Sequence, residues 1–147
     1  MKPVFFTVIG LAICINSFAQ HAVTKLWEID TILKVPESVL FDAENKVLYA
    51  SNIDGTDPWG NDGKGSIAKI GLDGKIIAVD WVNGLNAPKG LGIYKGKLYV
   101  ADISNIVVID IKKGVIDKTI PVEGAEGLND NSVGRDGVVW VSDSEEK

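Results

Sequence analysis

Residues that carry chemistry are scarce in this chain. It has a single cysteine, Cys14, and that lies in an apolar run near the N-terminus, so the body of the chain has neither a disulfide nor a thiol nucleophile. The single histidine, His21, stands near the start as well. Nothing places it beside a serine, so a Ser-His-Asp triad within these residues is excluded. No basic cluster with interleaved aromatics occurs and the net charge is −5, which disfavours a nucleic-acid partner. After the first apolar run no stretch approaches membrane-spanning length, no helical period of useful length appears, and no low-complexity linker divides the chain. A small molecule or a protein remains as the ligand class.

The first 19 residues read as an export signal. Lys2 is a short basic region, residues 4–15 are apolar but too short to span a bilayer with ordinary flanks, and Ser17-Phe18-Ala19 is a small-x-small cleavage site. The mature protein is expected to begin at Gln20 and to be periplasmic or secreted. Leu11-Ala12-Ile13-Cys14 invites a lipoprotein reading, but a lipobox needs a small residue where Ile13 stands.

The rest of the chain repeats. Lys97-Leu98-Tyr99-Val100-Ala101-Asp102 lines up with Val47-Leu48-Tyr49-Ala50-Ser51-Asn52 upstream and with Val138-Val139-Trp140-Val141-Ser142-Asp143 downstream. Tyr99 and Trp140 are 41 positions apart, whereas Tyr49 and Tyr99 are 50 apart. An extra Gly/Asp-rich loop in the first copy, residues 55–65, accounts for the surplus. A repeat of about 40 residues built of four short strands predicts an all-β propeller, because one such sheet cannot bury both faces without neighbours. Predicted strands run over 35–42, 47–52, 66–70 and 75–81, then 89–94, 97–101, 106–111 and 115–120, then 128–133 and 138–142, with residues 82–87 crossing between blades. The alternation in residues 25–30 predicts one more strand, which either completes the last blade of a closed ring or packs locally. Residues 20–147 thus hold about two and a half blades of one domain. Since propellers close with four to eight, the expectation is a fragment of a protein about twice as long.

Repeat alignment also gives positions. Four residues before the apolar residue that ends each inner strand (Phe41, Ile93, Val133) stand Glu37, Lys89 and Asn129. If inner strands line a central channel, these three surround one of its mouths. A carboxylate and an amide oxygen there, with equivalents from other blades, suit a hard divalent cation. Asp102 and Asp143 end matching strands and are expected to bond turn amides, while Tyr49, Tyr99 and Trp140 are expected to pack between blades. The loop 54–62 lacks the EF-hand order and reads as a surface loop, with Trp59 either a ligand-facing lid or an anchor.

Pro36-Glu37-Ser38-Val39 with Leu48-Tyr49, and Leu128-Asn129-Asp130 followed by Asp136-Gly137-Val138-Val139-Trp140-Val141, resemble the senescence marker protein, gluconolactonase and strictosidine synthase-like group of six-bladed propellers. The blade pattern is shared with NHL-repeat propellers. The resemblance implies a metal-dependent hydrolase of a small lactone or ester, with Glu37 as a metal ligand and with Asn129 and Asp130 as catalytic residues at substrate or metal-bound water. It implies a divalent metal cofactor, calcium first, with magnesium, manganese or zinc as alternatives. Gly127 stands where lactonases often carry an arginine, and Lys89 puts a cation where a ligand would be wanted. The competing expectation is a non-catalytic NHL-type propeller that binds a ligand or protein partner.

Overall fold

The structure, a computed structural model, describes residues 23–29 and 31–144. The export signal, its cleavage site, Cys14 and His21 lie outside the described residues.

The first blade is β1 (Pro36–Asp42), β2 (Val47–Asn52), β3 (Gly65–Gly71) and β4 (Ile76–Leu85). The second is β5 (Pro88–Tyr94), β6 (Lys97–Asp102), β7 (Asn105–Asp110) and β8 (Val115–Pro121), and the third is represented by β9 (Leu128–Val133) and β10 (Val139–Asp143). Each complete blade is a four-stranded antiparallel meander in chain order, as the repeats predict. Turn chemistry fixes the register. Lys95 and Gly96 both take positive φ, 46° and 72°, the two-residue geometry whose twist matches a β-hairpin. Asp42 closes the preceding hairpin differently: its Oδ1 accepts from the amides of Glu44 and Asn45, both at 3.0 Å.

Blade stacking makes the core. Tyr49, Ile67 and Leu85 of the first blade meet Leu98, Val100 and Ile109 of the second, all fully buried. The opposite face of the second blade offers Ala101, Ile106 and Val108 to Leu128 of the third. Residues 106–109 are therefore buried on both faces, which is why that strand is continuously apolar rather than alternating. Each such Leu or Ile contributes about 1.5–3 kcal/mol by leaving water.

Two strand expectations need correction. The segment 82–85, expected to cross between blades, remains in the sheet: register shifts between β3 and β4 let Val82 pair with Ile67, Asn83 with Ser66 and Leu85 with Gly65. Its apolar members explain this, since Val82 and Leu85 belong to the inter-blade core. Residues 25–29 form no strand, and Asp30 lies outside the described residues. They are held instead by the Trp27 indole N–H, which donates to the Leu72 carbonyl at 2.8 Å while the ring lies against Gly74, and by Ile29, which packs on Ala50, Ala68 and Ile70. Alternation alone does not create a strand when no neighbouring edge accepts its hydrogen bonds.

Candidate functional site

Pairing register shows which residues of successive blades are equivalent. Pro36 pairs with Asn52, Pro88 with Asp102 and Leu128 with Asp143, and a β-bulge follows each pairing. Glu37, Lys89 and Asn129 are the next residues along their strands, so the three occupy one position in three consecutive blades. The inner strands lie side by side, β1 against β5 and β5 against β9. The second approach is especially close: a Cβ at Gly90 would stand 2.5 Å from the Asn131 amide nitrogen and 2.7 Å from the Asn129 carbonyl oxygen. Asn131 ties the two blades together, its Nδ2 donating to the carbonyls of Gly90 at 3.0 Å and Tyr99 at 3.1 Å. Sequence reasoning passed over Asn131, although it is an amide at a position where the other blades carry Val39 and Leu91.

Around this position the side chains differ in what holds them. Glu37 has no hydrogen bond or ion pair among the described residues. Partial removal of its carboxyl from water pushes its pKa up; the charge of Lys89 opposes that and the charge of Asp130 adds to it. Asn129 donates from Nδ2 to Ser144 Oγ at 2.9 Å, which fixes the amide and leaves its Oδ1 as an acceptor. Asp130 is exposed, its backbone amide donating to Ser142 Oγ at 3.1 Å. Its charge is felt at Glu37, which brings residues from the first and third blades into one electrostatic neighbourhood.

Lys89 is 4% exposed, unusual for a cation. Burial lowers its pKa, and the carboxylates of Glu37, Asp102 and Asp57 counteract that in part. Its Nζ donates to the carbonyls of Pro58 and, at 3.4 Å, Ala87, and lies 4.4 Å from the centroid of Trp59. The loop reaches from the first blade over the second, and Trp59 anchors it on Lys89. Spacing alone did not reveal this partnership; a lysine among oxygen-bearing equivalents, with an aromatic loop nearby, was the available signal.

The recurring aspartates act as expected. Asp102 accepts from the amides of Asn86 and Ala87 at 2.9–3.1 Å, and Asp143 from those of Glu126 and Gly127, both at 2.9 Å. Tyr49 is buried between blades and stacks on Trp81 with centroids 4.9 Å apart. Tyr99 packs on the next interface, while Trp140, in the same place on the third blade, is 69% exposed.

A cavity of about 400 Å³ opens on the outer face of the first blade, lined by Trp27, Leu33, Leu48, Ala50 and Ile70, with Glu37 among its lining residues. Its apolar walls belong to a blade face, the surface that neighbouring blades cover in a propeller.

Glu37 and Asn129 offer hard oxygen donors of the kind calcium or magnesium takes. Among the described residues no group of three or more His, Cys, Asp or Glu could hold a metal ion. The donors present fit a hard cation in kind, and a complete shell requires ligands beyond them. No described helix is long and apolar enough to cross a membrane.

No protein-family model matches this chain, and no curated protein does. Among solved structures it is similar to a luciferin-regenerating enzyme, a six-bladed propeller, with 19% identity and a TM-score of 0.53. The match covers 74% of this chain and 38% of that one. At such identity the likeness shows the fold alone: the described residues are consecutive blades of a β-propeller.

Proposed function

We propose that this chain belongs to an exported six-bladed, gluconolactonase-like propeller that hydrolyses a small lactone or ester with the help of a divalent metal ion. The observation that supports this reading is that Glu37, Lys89 and Asn129 hold one position in three consecutive blades, with Asp130 near enough for its charge to act on Glu37. Glu37 and the Asn129 Oδ1 would hold the metal with ligands from further blades, and calcium suits such oxygen donors best. Such a metal polarises a carbonyl and acidifies water when bound. In this reading Asp130, exposed and electrostatically felt at Glu37, takes a proton from an attacking water, and Asn129, bonded to Ser144, orients the substrate. The supporting experiment is lactone hydrolysis by the full-length protein after chelation, with calcium, magnesium, manganese or zinc restored in turn. Activity that returns with one metal and is lost in Asp130→Asn supports the reading. Absence of hydrolysis with every metal refutes it.

One observation favours a second reading. Lys89 places a buried cation at the same ring position, where it acts on Glu37 electrostatically. If that charge suffices to balance Glu37, the mouth binds a small molecule or protein partner without metal or catalysis, as an NHL-type propeller would.

A further inference from the structure

The segment 55–62 is tethered at both ends and almost nowhere between. At its start, the Ile53 and Asp54 amides donate to the carbonyls of Val35 and Lys34 at 3.1 and 3.0 Å, and Lys34 pairs with Asp54 at 2.9 Å. At its end, the Gly63 amide donates to Asn86 Oδ1 at 3.2 Å. Asp54 and Gly63 have positive φ, 51° and 72°, so the chain reverses sharply at both tethers. Inside, the Asp57 side chain accepts from the Trp59 amide at 2.9 Å and its carbonyl from the Gly60 amide at 3.1 Å, a local turn that presents the indole. Apart from the local contacts of Asp62 with Lys64, two residues on, the one hydrogen bond among the described residues that ties 55–62 to another part of the fold comes from the Lys89 ammonium to the Pro58 carbonyl.

We propose that residues 55–62 form a lid over the channel mouth at Glu37, Lys89 and Asn129, that Lys89 is its latch, and that Trp59 is the aromatic underside a small-molecule ligand meets on entry. Burying an ammonium is costly unless it is bonded, and here the loop supplies the Pro58 carbonyl and the Trp59 indole face, leaving only the Ala87 carbonyl when it lifts. Between the end tethers no other hydrogen bond or ion pair among the described residues ties the segment to the blades, so opening requires breaking this one cluster rather than unzipping a sheet. The inference stands apart from the hydrolase reading, since it needs neither a metal nor a reaction.

Reductive methylation with formaldehyde and cyanoborohydride, followed residue by residue by mass spectrometry, tests it. A closed lid shields Lys89, so in the wild-type chain it is modified at least about ten-fold more slowly than the exposed Lys118. In Trp59→Ala the rate at Lys89 rises toward that of Lys118, while the ion-paired Lys97 of the second blade keeps its wild-type rate. Should Trp59→Ala release Lys97 too, Asp57→Ala, which removes the side-chain cap of the Trp59 amide and leaves the ring, gives the same reading. Lys89 modified as fast as Lys118 in the wild type, or equally slow in the variant that retains Lys97 protection, overturns the proposal.

Discussion

Asp102 and Asp143 do the same work one blade apart: each, at the end of its strand, accepts the two backbone amides of the crossing that leads into its own blade. The Asn86 and Ala87 amides are half-buried and buried, so the Asp102 carboxylate replaces water for them. Asp102→Ala leaves the Asn86 and Ala87 amides without that partner, and the expected loss is roughly 3 kcal/mol. Urea unfolding checks this; a change under about 1 kcal/mol would mean that the corner relaxes and finds other acceptors.

Tyr49 couples stability to alkaline pH. Burial first, then the nearby Asp42 charge, push its phenol up from 10.0 to about 12. Between those values the unfolded chain releases the proton and the native chain keeps it, so stability is intact below pH 10 and falls as pH rises toward 12. Tyr49→Phe removes that slope. Near pH 11.5 the wild type should lose about 2 kcal/mol more, relative to pH 9, than the variant does. Parallel losses in both chains would show that Tyr49 does not titrate this way.

Gly90 sets the distance between the second and third blades. Any Cβ there meets the backbone of 129–131 at 2.5–2.8 Å. Gly90→Ala is therefore expected to push β9 away at a cost of about 1–3 kcal/mol, and to displace Asn129 and Asp130 from Glu37. Hydrogen exchange should show lost protection in β9 with β2 and β3 unchanged. Unaltered protection in β9 would contradict the close approach.

Much of this architecture was legible because the repeat is written in the sequence. Equivalent segments at similar spacing gave the blades, and counting back four residues from Phe41, Ile93 and Val133 gave the ring of Glu37, Lys89 and Asn129. The continuation of β4 through Leu85 was not legible, because bulges shift the register and break the alternation on which strand reading rests. The missing strand at 25–29 failed for the opposite reason, alternation without an edge to pair with. Within the site, the residues could be aligned but not their partners. Asn131 bridging Gly90 and Tyr99, and Lys89 turned toward Pro58 and Trp59, depend on loop and blade placement that no local pattern encodes.

Glu37 carries a pH signature of its own. With its folded pKa raised above 4.5 by desolvation, the native state holds the proton more tightly, so the contribution is present below 4.5 and lost as pH rises through the raised value. Glu37→Gln should therefore melt no lower than wild type at pH 7 and gain nothing at pH 4. A lower melting temperature at pH 7 would show that the carboxylate is engaged in a stabilising pair.

The measurement that bears most directly on the proposed activity is calorimetric titration of calcium into the metal-free full-length protein, wild type beside Glu37→Gln, at neutral pH. The account predicts a single saturable site in the wild type, weakened at least ten-fold by the substitution. Equal affinity in both proteins, or heat of dilution alone in both, would contradict a metal at this mouth.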